Sequence, residues 1–112
     1  MAEQLPLNTF KSVTVNLTTT TETVYAVPIN VTAIILGTHV ANKSESAVGI
    51  TANLFKASGQ YNVIHKFDVP SNDAASITNG KLIMESGTRL VASASANDSL
   101  DLIISLLETS NV

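Results

Sequence analysis

The chain has 112 residues, a length typical of one domain, and no cysteine, which excludes disulfides and cysteine-based zinc sites. Only 13 % of its residues are charged, against about 25 % in ordinary soluble domains. Six scattered basic residues and a net charge of −3 provide no phosphate-binding patch, so nucleic acid is not an expected partner. No apolar run approaches the ~18–20 residues of a membrane helix, and we expect neither a membrane segment nor a signal peptide.

Hydrophobic residues alternate with polar ones along most of the chain, which is the pattern of β-strands. In the first such segment Val13, Val15 and Leu17 alternate with Ser, Thr and Asn, and Pro28 and Pro70 end two later segments. The predicted strands, in chain order, are 11–18, 22–28, 32–42, 47–55, 60–70, 81–86, 88–95 and 100–109. About eight short strands predict an all-β fold, an antiparallel β-sandwich of jelly-roll type, with an immunoglobulin-like sandwich as the alternative.

The last predicted strand contains LDLIISLL, which is apolar on both faces. Alternation assigns one face to the core of the sandwich: Leu100, Leu102, Ile104 and Leu106. Ile103 and Leu107 then lie on the opposite face, and Ile35 lies likewise opposite Ile34 and Leu36 in TAIILG. Soluble monomers avoid exposed apolar strands. We therefore predict that Ile35, Ile103 and Leu107 contact another subunit, although two central strands covered by loops would explain the same pattern.

The segment before the first strand, MAEQLPLNT, has little core-like pattern. We interpret residues 1–9 as an N-terminal arm that lies across a partner through Leu5 and Leu7, and residues 10–112 as one sandwich domain. The surface supports a partner, because 13 Thr, 12 Ser and 10 Asn replace the charged residues by which free monomers stay soluble.

Residues that could carry chemistry are few. His39 and His65 lie on predicted strands without a nearby His, Asp or Glu at ligand spacing, and no G-x-S-x-G elbow or glycine-rich phosphate loop is present. The sequence therefore predicts no catalytic residue, no metal site and no cofactor, and the protein is not expected to be an enzyme.

Two stretches carry a family resemblance: VYAVPINVTAIILGTHVAN, and MESGTRLVASASANDSLDLIISLLE near the C-terminus. Together they resemble small virion structural proteins of tailed phages, the cyanophage type included. The second stretch holds a hairpin of the form Ser-Gly-Thr-x-Leu, at Ser86 to Leu90, followed by Leu-Asp-Leu and Ser-x-Leu-Glu at the end of the chain. The resemblance covers about three quarters of the sequence and implies a structural component without catalytic residues.

From the resemblance and the apolar strands, the expected function is a capsid decoration (cement) protein, assembled in the host cytoplasm and located in the virion. Its expected partners are further copies of itself, with a trimer as the expected oligomer, and other virion proteins such as the major capsid protein. A neck, tail or fibre component is one alternative. A carbohydrate-binding jelly-roll module is another, weakened by the absence of Trp and the presence of only two Tyr and three Phe.

Overall fold

The protein is described by a computed structural model that covers residues 8–78 and 80–110. Within these residues the chain forms strands and no helix. The strands are β1 (Asn8–Asn16), β2 (Glu22–Ala26), β3 (Val31–Asn42), β4 (Val48–Lys56), β5 (Gly59–Val69), β6 (Ala74–Ala75), β7 (Leu82–Met84), β8 (Arg89–Ala94) and β9 (Leu100–Ser110).

The strands build two antiparallel sheets. One has five strands in the order β1-β9-β3-β6, with β7 pairing with β3 beside β6; the other has four, in the order β2-β8-β4-β5. The first strand therefore pairs with the last, and successive strands β1 to β4 pass alternately from one sheet to the other. This is the jelly-roll arrangement, so the predicted jelly-roll-like sandwich is confirmed. The immunoglobulin-like alternative is not, because its first two strands would lie side by side in one sheet.

The core lies between the two sheets and follows the predicted alternation along β9. Leu100, Leu102, Ile104 and Leu106 are all 0 % exposed, as predicted for this face. In the first segment Leu17 is likewise completely buried, and Val13 and Val15 pack against the core. Full burial of each such aliphatic side chain contributes about 1.5–3 kcal/mol.

The prediction for Ile35 is wrong, because this side chain is 0 % exposed and lies inside the core. The cause is an irregularity in the pairing of β3 with β9, whose register shifts between Ile35 and Gly37. Leu36 is the extra residue of this β-bulge, so odd-numbered residues point inward before it and even-numbered residues point inward after it. Ile35 and Val40 therefore share the core, while Leu36 is 38 % exposed.

Strand β1 begins at Asn8, so Asn8 and Thr9 belong to the sheet and not to the predicted arm. The remainder of the arm, with Leu5 and Leu7, lies outside the described residues. All nine residues of β1 pair with β9.

Candidate assembly interface

The five-stranded sheet has an outer face, formed by the side chains that point away from the four-stranded sheet. Residues directly opposite each other in an antiparallel pair share a face. Leu107 of β9 is opposite Phe10 of β1 on one side and opposite Ile34 of β3 on the other, and Ile34 is in turn opposite Ile83 of β7. Four large apolar side chains therefore form a continuous row across four strands, which we call the apolar row.

The ends of the apolar row are strongly exposed: Phe10 retains 75 % and Ile83 63 % of its accessible surface. Leu107 and Ile34, in the middle of the row, are half-buried by their neighbours. Isolated exposed hydrophobic residues are common on protein surfaces, but a contiguous set usually indicates a binding surface.

Two further apolar side chains extend this surface. Ile103 is 38 % exposed and lies between Thr14 of β1 and His39 of β3. Leu36, also 38 % exposed, leaves the core because of the bulge in β3.

The rows that flank the apolar row are polar but neutral. Asn8, Thr109 and Thr32 are opposite one another on one side, and Ser12, Ser105 and Gly37 on the other. Such neutral groups are less costly to remove from water than ions, because an unpaired buried charge loses far more solvation. The composition of this face therefore suits contact with another protein surface.

Charge appears at the far end of the outer face, where Lys43 Nζ lies 3.3 Å from Asp101 Oδ1. Asn16 Nδ2 donates a hydrogen bond of 2.9 Å to the same carboxylate oxygen. This hydrogen bond and the lysine ammonium hold the pKa of Asp101 below its usual value, against a smaller opposing effect of desolvation. The ionised group is thus paired within its own subunit and set apart from the apolar row.

The sequence-predicted site residues are found in different places. Ile103 and Leu107 lie on the outer face, where alternation along β9 placed them; their contact with a partner stays a prediction. Ile35 is in the core. Sequence reasoning missed Phe10 and Ile83, although the alternation of Ile83 with the inward-facing Leu82 and Met84 was a usable signal.

The remaining chemically capable residues do not converge on one place. His39 is exposed on β3 and His65 is exposed on β5, in different sheets. Within residues 8–78 and 80–110 no group of three or more His, Asp or Glu side chains is placed to hold a metal ion. In the same part of the chain no helix is long and apolar enough to cross a membrane.

No protein-family model matches the chain, and no curated protein matches it in sequence. Solved structures do share its fold. A chain from the capsid of Helicobacter pylori bacteriophage KHP30 has a TM-score of 0.58 at 10 % identity, over 96 % of this chain and 90 % of that one. A chain from Bacillus endospore appendages, which are disulfide-linked pili, has a TM-score of 0.56 at 13 % identity, over 100 % and 96 %.

A third similar structure is the Drosophila NLP core, whose description concerns pentamer formation and histone binding. It has a TM-score of 0.52 at 13 % identity, over 88 % of this chain and 96 % of that one. Because the sequence identities are this low, the similarity to these three proteins establishes a common jelly-roll fold and nothing further.

Proposed function

We propose that this protein is a non-enzymatic structural component of a virus particle, and specifically a capsid decoration (cement) protein. In this proposal it associates with further copies of itself, and its outer face binds the head surface formed by the major capsid protein. The trimer expected from the sequence remains a prediction, which the molar mass in solution tests.

The observation that carries the proposal is the apolar row on a face almost without charge. Phe10 and Ile83 are more than half exposed at opposite ends of this row. Covering each of them would contribute up to about 1.5–3 kcal/mol. A partner with a matching apolar surface would thus gain several contacts without having to desolvate an ion.

The fold adds support, because the similar solved structures include a chain of a phage capsid and a chain of a pilus. In both kinds of particle the jelly roll is part of a larger assembly. We extend the role of assembly subunit to the present chain because a partner would bury its exposed apolar surface.

Particle composition tests the virion assignment. The chain should be found by quantitative mass spectrometry in density-purified particles of the virus that encodes it. Copies in constant proportion to the major capsid protein support decoration of the head, whereas a few copies per particle support a neck, tail or fibre location. Absence from purified particles would contradict a virion role.

Site-directed variants test the surface. Ile103→Asp, which buries a charge at the proposed contact, should reduce occupancy on particles at least tenfold while leaving the melting temperature nearly unchanged. Ser93→Asp is the matched control, because it adds the same charge on the outer side of the other sheet. Ser93 pairs there with Thr51, in the four-stranded sheet. Equal loss of occupancy in both variants would remove the outer face from the proposal.

A further inference from the structure

The edges of the two sheets differ in how well they are protected against pairing with another chain. Strand β2 has five residues and a register shift between Thr23 and Tyr25. Strand β5 has two register shifts against β4, and Lys66 within it has a positive φ of 51°. Strands β6 and β7 have only two and three residues. Shortness, bulges and lysines are the usual means by which proteins block an edge.

Strand β1 is neither short nor bulged, and its single lysine is Lys11. Its nine residues pair with β9 without a register shift, and its sequence, NTFKSVTVN, contains no proline. It has a neighbour on one side only within the described chain. A regular, extended row of backbone donors and acceptors is therefore available for pairing on its other side.

The one charged residue of β1 does not protect the edge effectively. Lys11 lies opposite Leu106, on the side of the sheet that faces the core. Its ammonium is 3.4 Å from Glu108 Oε2, on the adjacent strand β9. This ion pair directs the positive charge back over its own subunit, and the other eight residues of β1 are neutral.

We infer that β1 is a self-association edge, which pairs antiparallel with β1 of a second copy about a two-fold axis at Ser12. Residues that face each other across an antiparallel pair must share a face of the sheet, so an outer residue must oppose an outer residue. Placing Ser12 opposite Ser12 satisfies this condition and pairs all nine residues. Placing Lys11 opposite Lys11 would bring two like charges together.

The side chains of β1 suit this register. Phe10 faces Thr14 of the second copy, and Thr9 faces Val15 of the second copy. Pairs of aromatic with β-branched residues are favourable across strands, and Thr9 and Val15 are both β-branched residues of the kind enriched in strands. Lys11 faces Val13 of the second copy, so no charged side chain is directly opposite another. This self-complementarity is why we assign the edge to a second copy and not to an unrelated strand.

The pairing would join two five-stranded sheets into one continuous sheet. Because the two-fold axis is perpendicular to the sheet, both outer faces lie on the same side. Phe10 would then adjoin Thr14 of the second copy, which is itself next to Ile103 of the second copy. The apolar surface would continue from one subunit to the other.

Disulfide trapping tests the register directly, since the chain has no cysteine of its own. Opposed residues of an antiparallel pair have Cα atoms about 4.5–5.5 Å apart, which is within the range that a disulfide spans. Full-length Ser12→Cys, treated with oxidised glutathione, should form a covalent dimer of twice the chain mass. Ser71→Cys, at an exposed position in the turn before β6, is the control for random collisions. Equal dimer yields from the two variants would overturn the inference.

A charge variant tests the same contact without covalent chemistry. Ser12→Lys places two like charges face to face at the axis and should weaken the dimer about twofold to fivefold, with recovery at high salt. The matched control is Ser105→Lys, because Ser105 is opposite Ser12 on the same face but in the central strand β9. Sedimentation velocity of both variants gives the dissociation constants.

The outcomes separate this inference from the proposed virion role. A dimer that is trapped through position 12 and weakened only by Ser12→Lys supports edge pairing. A trimer or a monomer without trapping at position 12 overturns it. Neither of those results bears on location in the virion, which is judged by particle occupancy.

Discussion

The phenol of Tyr25 donates a hydrogen bond of 2.5 Å to Glu108 Oε2 and so connects the two sheets of the sandwich. Tyr25 belongs to β2 of the four-stranded sheet, and Glu108 belongs to β9 of the five-stranded sheet. The same carboxylate oxygen lies 3.4 Å from Lys11 Nζ of β1. A single carboxylate thus holds three strands together where the apolar core ends.

Replacing Tyr25 by Phe should destabilise the fold by about 1.5–3 kcal/mol, the usual contribution of a hydrogen bond to a charged group. Urea unfolding measures the change. Tyr61→Phe is the control, because the Tyr61 hydroxyl contacts Ser58 Oγ at 3.0 Å on a side chain that is half exposed. Similar losses of stability in both variants would mean that the hydrogen bond between the sheets contributes no more than a hydrogen bond at the surface.

The same interaction predicts a loss of stability at alkaline pH. Burial, the hydrogen bond to Glu108 and the charge of its carboxylate raise the pKa of Tyr25 well above its usual value. The unfolded chain therefore releases this proton at lower pH than the folded chain. The stabilisation is complete below the ordinary tyrosine pKa of about 10 and decreases as the pH rises beyond it. Urea midpoints between pH 8 and pH 11 should fall more steeply for the wild type than for Tyr25→Phe.

The two faces of β9 should respond differently to substitution. Leu102→Ala creates a cavity in the core and should cost about 2–5 kcal/mol. Ile103→Asp changes the outer face and should leave the melting temperature of the isolated protein within a few degrees of the wild type. If Ile103→Asp unfolds the protein as severely as Leu102→Ala, the outer face is covered within the same subunit.

Because of the bulge in β3, substitution of two adjacent residues should have different effects on stability. Ile35→Ala should cost about 2–5 kcal/mol, because Ile35 is completely buried. Leu36→Ala should cost less than about 1 kcal/mol, the range expected of a surface substitution. Chemical denaturation of the two variants measures both values. The reverse order would mean that the unbulged alternation describes β3 in solution.

Deleting residues 1–7 tests the predicted arm. The deletion stops before Asn8, where β1 begins. The truncated protein should keep its melting temperature but lose occupancy on particles, because the arm is expected to contact a partner. Loss of folding would instead assign the segment to the domain, and normal occupancy would contradict a role in binding.

Much of the fold could be predicted from local sequence, because apolar and polar residues alternate along a strand that has one buried face. The alternation in LDLIISLL correctly identified the core face formed by Leu100, Leu102, Ile104 and Leu106, each 0 % exposed. The same alternation in about eight short segments correctly predicted an antiparallel sandwich. These properties depend on neighbouring residues, and so they are visible in the sequence alone.

Other features were decided only by the tertiary structure. The bulge at Leu36 moves Ile35 into the core, and it depends on how β3 pairs with a strand from the other end of the chain. The apolar row exists because pairing brings Phe10 beside Leu107 and Ile34 beside Ile83. The alternation of apolar and polar residues shows only which residues share a face of their own strand. Which strands adjoin, and in what register, is set by backbone hydrogen bonds between distant segments.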